Sequence, residues 1–66
     1  MINIYILAYE FLDDKLASGI MTFTNKQFAI ETARYYRDIL HCDFVSLRHD
    51  KQCHSGWCDI KGFIEF

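Results

Sequence analysis

The chain has 66 residues, of which 52% are hydrophobic and 17% aromatic, and it contains no proline. Charged residues make up 24% and leave a net charge of −2. That composition argues against intrinsic disorder and lacks the basic face with which a general nucleic-acid binder displaces counterions from phosphate.

A chain this short makes one domain, residues 1–66, and buries only about 60% of the surface its unfolded form exposes. Three cysteines, Cys42, Cys53 and Cys58, are an odd number where a small secreted protein carries an even set. The opening Met1-Ile2-Asn3-Ile4-Tyr5 has no charged segment leading into an apolar one, as a signal peptide would. No apolar run approaches the roughly 18 residues of a membrane span. The expectation is a cytoplasmic protein with free thiols and no membrane association.

In chain order, Ile2 to Phe11 reads as a strand rich in Ile, Tyr and Phe. Its even positions (Ile2, Ile4, Ile6, Ala8) and its odd ones (Asn3, Tyr5, Leu7, Tyr9) are both largely apolar. Such a strand is covered on both faces or meets a partner. Leu12 to Gly19 breaks the pattern with Asp13, Asp14, Ser18 and Gly19, all turn formers. Ile20 to Phe23 resumes as a short strand, which pairs with the first as an antiparallel hairpin.

Thr24-Asn25-Lys26-Gln27 fits a capping box, with Thr24 as the cap and Gln27 reaching back. From Asn25 to Leu40 the residues Tyr35, Phe28, Ile39, Thr32, Tyr36, Ala29, Leu40 and Ala33 share one arc of about 160°, the signature of an amphipathic helix. Lys26, Gln27, Glu31, Arg34, Arg37 and Asp38 lie opposite, with Arg34 and Asp38 spaced as an i,i+4 ion pair. Phe44 to Arg48 reads as a third strand and His49 to Ser55 as a polar loop. Trp57 to Phe66 reads as a last strand, with Cys58, Ile60, Gly62, Ile64 and Phe66 alternating against Trp57, Asp59, Lys61, Phe63 and Glu65.

The predicted fold is α+β in ββαββ order: two layers, a four-stranded and mainly antiparallel sheet carrying one helix. One helix covers one face only. The expectation places Tyr5, Leu7 and Tyr9, with Trp57 and Phe63, on the face away from the helix. Monomers seldom leave a contiguous apolar patch in water, and Tyr and Trp anchor protein interfaces. Those five residues are therefore the expected partner-binding set, and a homo-oligomer, a dimer through the open face or an edge strand, is the expected assembly.

Other chemistries fit less well. His41, Cys42, His49, Cys53, His54 and Cys58 are zinc ligand types, and His49, Cys53, His54 and Cys58 would be the metal candidates. The spacing gives no C-x₂-C pair, and alternation puts Cys58 at a core position, so no metal and no cofactor are expected. Cys53 with His49 can be drawn as a nucleophile and base. No Gly-rich turn leads into a helix to supply an oxyanion hole, and a two-layer domain of this size encloses little space for a substrate, so no enzyme is expected. An aromatic sheet face of Tyr5, Tyr9, Trp57 and Phe63 would suit stacked bases. The net charge and the single helix, where RNA-recognition modules have two, leave that as the alternative, with a zinc-stabilised domain as the second.

The run Ile4-Tyr5-Ile6-Leu7-Ala8-Tyr9, a polar loop and Gly19-Ile20-Met21-Thr22-Phe23-Thr24 ahead of a helix resemble small proteins encoded by bacteriophages and prophages. The resemblance covers the first two-thirds of the chain. It implies a protein that acts in the host cytoplasm by binding a host protein, in the manner of anti-CRISPR and anti-restriction inhibitors. It assigns no residue a role.

Overall fold

In the computed structural model, which describes residues 2–52 and 58–66 (the backbone alone for 52 and 58–61), four strands flank one helix. They are β1 (Ile2–Glu10), β2 (Gly19–Phe23), β3 (Phe44–Gln52) and β4 (Cys58–Phe63), with α1 (Lys26–Asp38) between β2 and β3. The sheet is antiparallel throughout, in the order β2-β1-β3-β4. The expected α+β class and ββαββ order are both present. Because β2 and β3 each run antiparallel to β1, they run parallel to one another, and joining them requires a crossover. Helix α1 is that crossover, which is why it lies over one face of the sheet.

Local chemistry sets the element ends. The Asn25 side chain caps the helix, its Oδ1 accepting the Phe28 N–H at 2.9 Å. The cap is thus one residue later than the expected Thr24, and Asn is the stronger cap of the two. Gln27 donates to Glu31 at 3.4 Å instead of reaching back. The helix ends at Asp38, two residues before the expected Leu40. His41 there adopts a left-handed φ of 53° and the Cys42 N–H donates to the Tyr36 carbonyl at 2.9 Å. Asp38 pairs with the adjacent Arg37 at 2.8 Å, where the spacing pointed to Arg34. That contact holds the Asp38 carboxyl below its ordinary range. Arg37 also donates to the Phe66 carbonyl and lies 5.2 Å from the centre of the Phe66 ring, which ties the residues after β4 to the helix.

The polar segment at His49 does not leave the sheet. β3 continues to Gln52, pairing Tyr5 with His49 and Ile2 with Gln52. The first half of β1 needs those backbone partners. β4 then carries a bulge: Asp50 opposes Ile60 while His49 opposes Gly62, so Lys61 is the extra residue. Gly62 has a φ of 122°, a conformation that L side chains rarely adopt. The uninterrupted alternation expected from Trp57 to Phe66 therefore fails at Lys61. Beyond it Phe63 opposes Arg48, and the Ile64 N–H donates to the Leu47 carbonyl at 2.8 Å.

The core is small: Tyr5, Leu7 and Leu47 of the sheet against Ala29 and Ala33 of the helix. The two alanines bring the helix backbone close to the strands. Tyr9, Met21, Phe23, Ile30, Val45, Ile64 and Phe66 pack around this cluster. The Tyr9 and Tyr36 rings meet edge to face with centroids 4.5 Å apart. Burial first, then the charge and hydrogen bonding of the neighbouring Tyr9 hydroxyl, push the Tyr36 phenol above its ordinary range.

Two substitutions separate side-chain from backbone contributions. Leu7, with 0% exposure, is expected to cost about 3 kcal/mol on truncation to Ala. Gly62→Ala is expected to cost about 1–2 kcal/mol through backbone conformation alone, since no atom lies within 4 Å of the added carbon. Urea melts of the two variants check both values.

Candidate interaction surface

The register decides which side chains share a face, because directly paired residues project to the same side. Leu7 is paired with Met21 on one side and Leu47 on the other, and all three pack in or against the core beneath α1. The odd positions of β1 are therefore the helix-facing set. This overturns the placement of Tyr5, Leu7 and Tyr9 on the open face: Tyr5 and Leu7 are buried, and Tyr9 packs against the core and the Tyr36 ring. The reason is physical. Both parities of β1 are apolar, so periodicity could not choose between them, and the helix chose the larger set. A Tyr5→Ser change acts on the core, not on an outer surface.

The open face is built from the even set. Ile6 pairs with Thr22 and Arg48, Ala8 with Ile20 and Ser46, Glu10 with Phe44, and Arg48 with Phe63. Phe63 is 74% exposed, Ile20 71%, Phe44 60% and Ile2 56%, with Ile4, Ile6 and Ala8 half-buried between them. Phe63 thus lies on the open face, as expected. Trp57 lies outside the described residues. Sequence reasoning missed Ile20 and Phe44, although the even set of β1 was visible as a second apolar row. Where β1, β2 and β3 meet near the Lys15–Ala17 turn, Ala8, Ile20, Phe44 and Ser46 line a groove of about 730 Å³ with Glu10 and Lys15 beside them.

One ion pair interrupts the apolar surface. Asp50 is 2% exposed, yet its carboxylate accepts from Arg48 Nε at 3.0 Å and lies 2.9 Å from Arg48 Nη2. The two stand two residues apart on β3, so both project to the helix-free side. Arg48 remains more than a third exposed, so its cation is held in place by the carboxylate and still reaches water.

Of the four metal candidates, only His49 has its side chain among the described residues. His49 sits within β3 on the helix side, stacked on Tyr5 with ring centroids 4.8 Å apart, and its Nε2 lies 3.1 Å from Asn3 Oδ1. Cys53 and His54 lie outside the described residues, as does the side chain of Cys58. Cys42 is a free thiol whose Sγ donates to the carbonyls of Glu10 and Phe44. Among the described residues no group of three His, Cys, Asp or Glu side chains could hold a metal ion, and no helix is long and apolar enough to cross a membrane.

The Arg48–Asp50 pair yields a double-mutant test. Arg48→Leu strands a buried carboxylate and is expected to cost about 2 kcal/mol, less than a fully buried pair because Arg48 is partly solvated. Adding Asp50→Leu is expected to restore most of that loss in chemical denaturation. In comparisons with known proteins, no family model, no curated protein and no solved structure matches this chain.

Proposed function

We propose that this protein is a protein-interaction module whose binding surface for a partner is the helix-free face of its sheet. The observation that carries the reading is the apolar row of Ile2, Ile4, Ile6 and Ala8, extended by Ile20 beside Ala8 and flanked by Phe44 opposite Glu10 and Phe63 opposite Arg48, with the most exposed of these standing well out of the sheet. A chain with so small a core cannot spare that much apolar surface for solvent, and exposed apolar groups gathered on one face mark association sites. Phe44 and Phe63 are the anchors, and Arg48, fixed by Asp50, supplies a directional polar contact at the centre. The module binds proteins, a second copy of itself among them. The resemblance of its first two-thirds to small phage proteins supports a bacterial host protein as the other partner, bound as an inhibitor binds in the host cytoplasm. The alternative, a stacking platform for bases, loses two of its expected members, Tyr5 being buried and Tyr9 packed against the core.

Both anchors are exposed, so Phe44→Ser with Phe63→Ser is expected to change stability by about 0.5 kcal/mol or less. The immobilised wild-type chain is expected to retain a discrete bacterial protein that the double variant, equally folded by circular dichroism, does not. Equal capture by both, or capture by neither, overturns the reading. A salt-sensitive shift of single-stranded RNA by the wild type would replace it with base stacking.

A further inference from the structure

The sheet has two edges, and they differ. The β4 edge carries Asp59 and Lys61 and the bulge at Gly62, the charges and irregularity with which proteins keep an edge from pairing. The other edge, β2, reads Gly-Ile-Met-Thr-Phe, with no charge, no proline and an unbroken register against β1 from Gly19 to Phe23. Among the described residues β2 pairs with β1 alone. Every second residue of β2 therefore directs its N–H and C=O away from the sheet.

The helix leaves a second unused surface on the same side. Phe28 is 59% exposed, Tyr35 50% and Ile39 62%. At helical spacing these three fall within an arc of about 40°, so they form one line along the axis. Two contacts orient that line. Phe28 meets Phe23 of β2 with ring centroids 5.5 Å apart, whereas Arg37, on the opposite flank, meets Phe66 beyond β4. The exposed apolar flank of α1 accordingly stands above the open β2 edge.

We infer that the β2 edge and this flank of α1 together form a self-association interface occupied by a second copy of the chain. The inference rests on the reading of the protein as an interaction module, and it assigns self-association to a surface other than the sheet face. Symmetry supplies the argument. Antiparallel pairing of β2 with its copy requires a two-fold axis perpendicular to the sheet, and such an interface is isologous. That axis puts both helices on the same side of an eight-stranded sheet, with their Phe28, Tyr35 and Ile39 flanks turned toward each other. A free peptide added to β2 would satisfy the backbone edge and leave the flank bare. A second copy covers both, and the uncharged β2 strand meets its own image without repulsion. The same axis places the two helix-free faces side by side on the other surface, free to bind a partner.

The test uses the full chain in sedimentation velocity up to about 100 µM, with hydrogen exchange measured across the same dilution series. The wild type is expected to dimerise, and the amides of Gly19–Phe23 are expected to gain protection as it does. Tyr35→Lys with Ile39→Lys is expected to raise the dissociation constant about tenfold or more. Both residues are at least half exposed, so the variant folds, which circular dichroism checks. Phe44→Ser with Phe63→Ser is expected to leave the dimer intact while losing the heterologous partner, so the two proposals fail independently. A monomeric wild type, unprotected β2 amides in the dimer, or a dimer indifferent to Tyr35→Lys with Ile39→Lys each overturns the inference.

Discussion

The packing of Ala29 and Ala33 onto Leu7 and Leu47 is the contact from which the rest follows. A helix crossing a sheet buries only what it can approach, and alanine lets the two backbones come close enough for Tyr5, Leu7 and Leu47 to fill the space between. Once the odd positions of β1 are committed to that contact, the pleat sends every even position to the other side. The crossover from β2 to β3 offers no second covering element. The exposed Ile and Phe surface is therefore a consequence of topology.

The same contact explains which parts of the fold were legible in the sequence and which were not. Element types follow from local signals that do not depend on partners: the β-rich composition of residues 2–11, the capping pattern from Thr24 to Gln27, the helical period through Tyr36. The orientation of β1 does not. With apolar residues at both Ile4, Ile6, Ala8 and Tyr5, Leu7, Tyr9, local periodicity is equally satisfied either way up. The tie is broken by volume against the helix, and Tyr9 closing on Tyr36 is part of what breaks it. The tyrosines suit an interface and a core alike, since ring and hydroxyl serve both, so residue type could not arbitrate. The existence of an open apolar face was readable, as was the place of Phe63 on it; the contribution of β1 was not.

A related ambiguity arises at β4. Simple alternation grouped Phe63 with Lys61 and Asp59, but one extra residue at Lys61 resets the phase. The signal was a lone glycine inside a strand pattern, at position 62, which marks a bulge as readily as a packing need. The reset alters the register before it, where Ile60 opposes Asp50, and leaves Phe63 on the outer face and Ile64 against the core, as alternation had them. The polar run His49 to Gln52 likewise read as loop because its side chains are hydrophilic. Its backbone is held in the sheet by β1, with His49 stacked on Tyr5 and Asp50 paired with Arg48. Polar side chains in a strand are no argument against it when the buried ones find partners, as Asp50 does.

Hydrophobic content and core size then stand in a revealing ratio. Just over half the residues are apolar, yet only Tyr5, Leu7, Ala29, Ala33 and Leu47 are buried hydrophobics among those described. Apart from Leu12, Leu16 and Leu40, the large exposed apolar residues are gathered on the helix-free face of the sheet and along the Phe28, Tyr35 and Ile39 line above the β2 edge. Isolated exposed apolar residues are ordinary on any protein surface, but two ordered groups on a chain with so limited an interior are the surfaces that the proposed association would cover. In that proposal, association and stability share one source. An edge-paired dimer would extend the sheet and unite the two outer faces, so that the surface left open by the single helix becomes broad enough to grip a folded partner.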